Sequence, residues 1–530
     1  MSSETEPAQL AERIEEYLAA HPTAVVLEDG RVKFDMRSAR YSVSESHGRC
    51  LLQLWSEDLN LVRTVVGVAE RAHCLRIATR RMGATRPQSL EIVPSSDRRT
   101  PTARDTARRN YLRLLERVLT RSFLGAKADG FRTAMDLEHS FGPAYARGRL
   151  LRGAAAEAVI GVGESESAAA IDGILTLGLL WLAHCRQLAD ARRHFGGLKV
   201  VVPAGSWRIT AERMAFLNAS AADFQLFTLD ERSEELEPVE IRDTGNLESW
   251  LVHAFSETAA LERCETGIAR LMDLVPGTAR DRVEVRAKSA SEVGLVLHGL
   301  EFARVRRGTA AHSFTGEDEV SFGAGASETV LTHENAGDCR ELFARLFAAR
   351  QPDGEQNDPL FRMHPERWLE SRLQNDIAEI LPGLRRDLMY RQVPALSSGD
   401  RGMLDLLALD RDGRLTVLEV KADEDLHLPL QALDYWIRVR ALNADRKPLT
   451  GGGRPLSAFE REGYFAGAEV SPREPRLLLA APALRIHPAN ETVLRFLSPQ
   501  IEWELIALSE HWRRDLSVVF RKRSGGARNH

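Results

Sequence analysis

Cysteine is scarce in this sequence. Five stand among 530 residues, Cys50, Cys74, Cys185, Cys264 and Cys339, far apart and without a C-x-x-C pair. An odd, scattered set excludes a disulfide framework and a clustered zinc site. His184-Cys185 is an isolated pair with no further ligands beside it. A glycine-rich phosphate cradle is missing too: Gly161-Val162-Gly163-Glu164-Ser165 does not make G-x-G-x-x-G, so no dinucleotide site is expected. No apolar run reaches bilayer length. The most apolar stretch, Ile171–Ala183, is too short to span and is followed by His184 and Arg186. The opening residues, MSSETEPAQLAERIEEYL, are polar and acidic, unlike a secretory signal. No membrane association is expected, and a reducing cytoplasm is the expected location. A strong excess of one charge is also lacking. The formal net charge is −5, so any nucleic-acid surface must come from uneven distribution.

What is present is ordinary globular material, 43% hydrophobic and 28% charged. At ~150 residues per domain the length suggests about three or four domains. Residues 8–20 have helical spacing, and short β-type runs follow: TAVVLE, RVKFD, ARYSV, CLLQLW, LVRTVVGV, CLRIAT and SLEIV. They predict a small β-rich domain within 1–105, with a polar linker at 95–110 and a helix over 106–123. Residues 106–265 alternate strand and helix: EAVIGV, a long helix over 171–195, LKVVVPA, ITAERMAFLNAS and FQLFTLDE. That order predicts an α/β layer. Residues 266–350 read as a β-rich connecting domain ending in helix, and 351–359 as a linker. From 355 to 530 the order is helix, three strands, helix, strand. The fold class is thus a multidomain mixture of α/β and α+β.

The informative segment is GMLDLLALDRDGRLTVLEVKAD, residues 402–423. Two apolar runs flank Arg411-Asp412-Gly413, which suits a three-residue hairpin loop with Gly in the left-handed position. Asp410 then faces Arg414, and Asp405 lies across from Glu419. Opposed residues share a sheet face with Cβ atoms about 5 Å apart, and Lys421, two residues on, shares that face. A two-residue loop at Asp412-Gly413 would instead oppose Asp405 to Val420 and turn the acids apart. Two carboxylates on apolar strands repel each other and are costly to desolvate. A hard divalent cation, Mg²⁺ or Mn²⁺, relieves both problems. Lys421 beside it would orient the attacking water and stabilise developing charge.

This segment resembles the PD-(D/E)XK nucleases, in particular archaeal-type mismatch endonucleases and RecB-like domains. The resemblance covers about 355–525. It implies a restriction-endonuclease-like α-β-β-β-α-β core in which Asp405, Glu419 and Val420 form the metal set and Lys421 assists the water. Glu370 on the first helix is the expected additional acid, ahead of Glu366. Gln431, followed by Tyr435, fits the polar position of the helix after E-x-K. Leu404 stands where the family name implies Pro. The activity implied is metal-dependent hydrolysis of DNA phosphodiester bonds, in repair, restriction or phage defence. The alternative is an inactive nucleic-acid-binding or scaffold protein on the same fold, or, at the level of the residues alone, a solvated Glu419–Lys421 ion pair.

Between residues 60 and 127 fifteen Lys/Arg stand against five Asp/Glu, including Arg76, Arg80, Arg81, Arg86, Arg98, Arg99, Arg104, Arg108 and Arg109. Such an excess suits phosphate contact. A solvated face paired with acidic neighbours is the other reading. A homodimer contact or a protein partner is expected through the N-terminal domains. Residues 130–240 are either a plain α/β scaffold or a second nuclease-like fold without E-x-K, with Lys199 lacking a paired acid and Asp172 capping a helix. Trp181, Trp368 and Trp436 sit at core spacing, and His364 and His427 are read as surface residues beside the nuclease segment.

Overall fold

The computed structural model describes residues 7–525 apart from 29, 47, 57–58, 72–73, 81–87, 96, 98–99, 190–192, 242–248, 309–317, 326–327, 398–399 and 449–452. The chain is a mixed α/β multidomain protein, with four main sheets among the described residues. It divides into two compact units: Met1–Ile174 with Lys199–Ser206 and Phe227–Pro238, and Leu175–Leu198 with Trp207–Leu226 and Val239–His530.

The β-rich N-terminal region is present as expected. Its seven-stranded sheet runs Arg31–Asp35, Val25–Glu28, Gln88–Val93, Cys74–Arg80, Asn60–Arg71, Arg49–Trp55, Arg40–Ser46 in spatial order. The helix Pro7–Ala20 buries Leu10, Ile14, Tyr17 and Leu18 against Val26, Leu52, Leu54 and Ile77. The segment 95–110, expected as a linker, is helix from Pro101 to Ser122. Thr100 caps it, accepting from the Ala103 amide at 3.3 Å, and Pro101 occupies the first turn where its missing N–H is no loss.

A six-stranded sheet carries Glu235–Val239, Asp223–Asp230, His194–Pro203, Ala155–Val162, Tyr145–Arg152 and Lys127–Arg132 in that order. The long helix expected over 171–195 is broken. Ser167 caps a short helix, Ala168–Asp172, the main helix runs Ile174–Leu188, and His194 already begins a strand. Asp172 is the last residue of the short helix, with Gly173 between it and the main helix.

The connecting region forms a five-stranded sheet, Glu284–Ser289, Glu292–Leu297, Leu300–Arg307, Asp318–Phe322 and Thr329–Val330. Leu271 of the helix Glu265–Met272 and Phe343 and Phe347 of the helix Ala336–Ala349 pack against its Leu295 and Phe302. Cys264, assigned by the sequence to the preceding domain, belongs to this core. Arg350, fully buried, closes the layer by donating to the carbonyls of Leu297, His298, Leu360 and Met363.

The C-terminal sheet has seven strands in the order Ser249–Leu251, Leu384–Ser397, Asp400–Asp410, Leu415–Val420, Arg476–Pro482, Trp503–Leu508, Val518–Arg523. The pairing is antiparallel up to Leu415–Val420, then parallel across Arg476–Pro482 and Trp503–Leu508. The helix–strand–strand–strand–helix–strand order read from the sequence is present. All six residues of Leu415–Val420 are buried, as a central strand with both faces covered requires. Leu418 and Val420 join Trp368, Leu369 and Leu373 of the helix Pro365–Asn375. The intervening Glu419 points to the other face by the two-residue alternation of a strand.

Candidate functional site

The hairpin Asp400–Val420 turns through the three-residue loop. Leu406 pairs with Leu418 and Leu409 with Leu415. The Asp410 amide donates to the Arg414 carbonyl at 3.0 Å, and Gly413 has φ +72°. A Cβ on Gly413 would lie 2.2 Å from the Glu469 carbonyl oxygen, so glycine is required there twice over. One step beyond the Leu406–Leu418 pair, the same register sets Asp405 opposite Glu419. The Val420 amide donates to Asp405 Oδ2 at 3.0 Å. Val420, expected in the metal set, meets the acids through that N–H, while its side chain is fully buried in the core.

Glu419 is 2% exposed, and its Oε2 is buried with no hydrogen-bond partner. Burial and the neighbouring Asp405 carboxylate push Glu419 well above the usual carboxylate range, against the pull of Lys421. Asp405 is also raised by burial, opposed by the Val420 amide and Lys421. Lys421 Nζ lies 3.7 Å from Glu419 Oε1, 3.7 Å from Glu366 Oε1 and 4.0 Å from Asp425 Oδ2. Burial works against its charge, but Glu419, Glu366, Asp405 and Asp425 outweigh that and raise its pKa. Lys421 is a protonated ammonium ringed by carboxylates.

The helix Pro365–Asn375 brings in Glu366 and Glu370, one turn apart and so on one face. Glu370 is pushed up to about 8 by burial and by Asp405, with Arg391 and Arg367 opposing. Glu366 is raised by burial, with Lys421 opposing and Asp405, Asp423 and Asp425 adding repulsion. On the helix Leu428–Ala444, burial together with Glu419 and Asp405 raises the Tyr435 phenol. Gln431 is half-buried one turn before Tyr435. The sequence-read residues Asp405, Glu419, Lys421, Glu370, Glu366 and Tyr435 are thus electrostatically coupled around one point.

Three contributors were missed. Asp425 and Asp423 stand in the acidic run Lys421-Ala422-Asp423-Glu424-Asp425, whose spacing was visible. Arg391 pairs across from Leu406, next to Asp405, and burial lowers its pKa to about 10. It became placeable only with the register of a strand whose pairing is irregular between Leu384 and Met389. Arg391 and Arg286 face Glu284, which also accepts from the Ser371 hydroxyl at 2.8 Å. His427 is bonded to Thr176 at 3.1 Å and His364 precedes the Glu370 helix in the left-handed region. Trp181, Trp368 and Trp436 are core residues.

Among the described residues no three His, Cys, Asp or Glu side chains stand preassembled as a metal cage. The donor chemistry nevertheless suits a hard cation: an all-oxygen group in which one buried carboxylate oxygen, Glu419 Oε2, has no partner. In the basic stretch, Arg76 bonds Glu91 and Arg108 bonds Glu166, whereas Arg80, Arg104 and Arg109 are exposed. Arg81, Arg86, Arg98 and Arg99 lie outside the described residues. No helix is long and apolar enough to cross a membrane. No protein-family model and no curated protein sequence matches the chain.

Proposed function

We propose that the C-terminal layer is a PD-(D/E)XK-type nuclease core that hydrolyses DNA phosphodiester bonds with Mg²⁺ or Mn²⁺. The observation that carries this reading is the hairpin register, which opposes Asp405 to Glu419 and leaves a buried Glu419 oxygen without a partner beside Lys421. The strand order, with a switch from antiparallel to parallel at Leu415–Val420, supports the core assignment. Asp405, Glu419 and a carboxylate from Glu366 or Glu370 would hold the ion, which when bound supplies charge stabilisation at the phosphate and an acidified water. The Val420 amide fixes Asp405, and Lys421 presents an ammonium to the water or to a phosphate oxygen. Exposed Arg80, Arg104 and Arg109 would meet DNA backbone, and a protein partner could use the N-terminal domains.

A supercoiled plasmid incubated with the protein in Mg²⁺ or Mn²⁺ should be cut, EDTA should stop cutting, and Glu419→Ala should abolish it. Unchanged cutting by a folded Glu419→Ala variant would sink the assignment.

A further inference from the structure

The order of elements around the acidic hairpin occurs twice in the chain. The first run is Pro101–Ser122 (helix), Lys127–Arg132, Tyr145–Arg152 and Ala155–Val162 (strands), short Ala168–Asp172 and Ile174–Leu188 (helices), His194–Pro203 (strand), Arg208–Met214 (helix), Asp223–Asp230 and Glu235–Val239 (strands). The second begins with helix Pro365–Asn375 and short helix Ile377–Ile380, then strands Leu384–Ser397, Asp400–Asp410 and Leu415–Val420. It continues as Leu428–Ala444 and short Ala458–Arg461 (helices), Arg476–Pro482 (strand), Pro488–Leu494 (helix), Trp503–Leu508 and Val518–Arg523 (strands). In both sheets the six strands lie side by side in chain order.

Residue matches accompany the topology. Val202-Pro203-Ala204 answers to Ala481-Pro482-Ala483 at the end of the fourth strand, and Phe216-Leu217 to Phe496-Leu497 after the following helix. The matched residues then meet each other. Leu217 and Leu497 form an antiparallel bridge. The Asn218 amide donates to the Phe496 carbonyl and the Ser498 amide to the Phe216 carbonyl, each at 2.8 Å. The Arg186 guanidinium lies 5.9 Å from the Phe496 ring centre, and Arg440 lies 5.4 Å from that of Phe216. Residue i of one run touches j of the other while the counterpart of j touches the counterpart of i. That reciprocity is the signature of a two-fold, isologous contact, here within one chain.

The two runs differ where the acids are. Counted outward from the pairs that flank each turn, Asp410 with Arg414 and Arg152 with Ala155, the sixth positions are Asp405 and Glu419 in one hairpin. In the other they are Arg147 and Ile160, which face each other. Val162 stands at the place of Lys421. With Arg186 matched to Arg440, Leu177 and Trp181 stand for Gln431 and Tyr435. The opposed acid pair and its lysine are present in one run and replaced in the other, although Glu164 and Glu166 stand at the places of Asp423 and Asp425.

We infer that the chain carries the same core order twice with a single competent centre, and therefore cuts one strand of a duplex per engagement. This rests on the nuclease reading above. The strands of a duplex run antiparallel and are related by two-fold axes, so presenting the same chemistry to both takes two centres related by a two-fold. Here the related run lacks the opposed acid pair. Each event adds one water to one phosphorus and breaks one P–O bond. One proton ends on the leaving sugar oxygen, the other on the phosphate monoester.

The test follows supercoiled, nicked and linear plasmid over time with the full chain in Mn²⁺, with Glu419→Gln alongside. Nicked circles should accumulate to nearly all of the input before linear DNA appears, at a rate proportional to protein concentration. Linear product formed from the outset, or a rate rising with the square of concentration, would overturn the single-centre inference while leaving metal-dependent, Glu419-sensitive cutting intact. Cutting that is absent, or that Glu419→Gln does not change, would overturn the nuclease reading and this inference with it.

Discussion

Gly299 offers the sharpest test of how the connecting sheet sets the site. It turns the hairpin between Glu292–Leu297 and Leu300–Arg307 with φ +76°, where any other residue is strained by about 1–2 kcal/mol. An added Cβ would lie 2.0 Å from the Arg367 carbonyl oxygen and 2.8 Å from the Trp368 amide nitrogen. Ordinary contact begins near 3.4 Å, so the backbone between Glu366 and Glu370 must retreat by about 1.4 Å. With overpacking added, Gly299→Ala should destabilise the protein by roughly 2–4 kcal/mol. A displacement of ~1 Å at a catalytic constellation is enough for a ~100-fold loss. Gly383→Ala is the control, since nothing lies within 4 Å of its Cβ position. Urea unfolding and single-turnover cleavage of both variants measure the two effects. A folded Gly299→Ala protein cutting at the parental rate would show that the Glu366–Glu370 helix does not set the chemistry.

Three further outcomes are expected. Lys421→Ala should keep or raise Mg²⁺ affinity by calorimetry, because a positive charge among the acids has gone, yet lose roughly 10²–10³-fold in cleavage. Lys421→Arg should fail to restore it, and parental cutting by the alanine variant would reduce Lys421 to an ion-pair partner. In EDTA, folded Glu370 keeps its proton up to about 8, whereas the unfolded chain releases it near 4.5. Stability should therefore fall as pH rises through that window, by up to about 5 kcal/mol at ~1.4 kcal/mol per unit. Glu370→Gln should flatten the slope, and equal slopes would contradict the assignment. Arg350→Ala strands the four carbonyls it serves. It should cost roughly 3–5 kcal/mol in urea unfolding, and a loss below ~1 kcal/mol would mean that those carbonyls find other donors.

The acid pair was readable because its evidence is local: an apolar strand, a turn with Gly413, and a second apolar strand fix which residues face each other. The central strands were equally plain, since buried strands are continuous apolar runs. Of the strands that went unread, Lys127–Arg132, Glu235–Val239, Ser249–Leu251, Thr329–Val330 and Val518–Arg523 are sheet edges. Edge strands are half-solvated and carry charge, so Lys-Ala-Asp-Gly-Phe-Arg or Val-Val-Phe-Arg-Lys-Arg shows no strong alternation. The helix break at Gly173 was hidden by the apolar residues on both sides. Arg391 and the reciprocal contacts made by Phe216 and by Phe496 depend on partners far along the chain, which spacing alone does not reveal.

The loop at Gly413 has a consequence for the order of assembly. A hairpin is a local structure and forms on the microsecond scale, but two loop geometries compete here, and only one faces Asp405 to Glu419. The Ser471 amide donates to the Gly413 carbonyl at 2.7 Å, and the Glu469 carbonyl occupies the space a side chain would need. Both contacts come from a segment that arrives only after the whole Leu428–Ala444 helix has been threaded past. The register of the acids is thus ratified by a distant stretch of backbone, after the loop-closure entropy of the intervening chain has been met. The facing of the two carboxylates is therefore expected to be fixed only once the Glu469–Ser471 segment has packed on the turn.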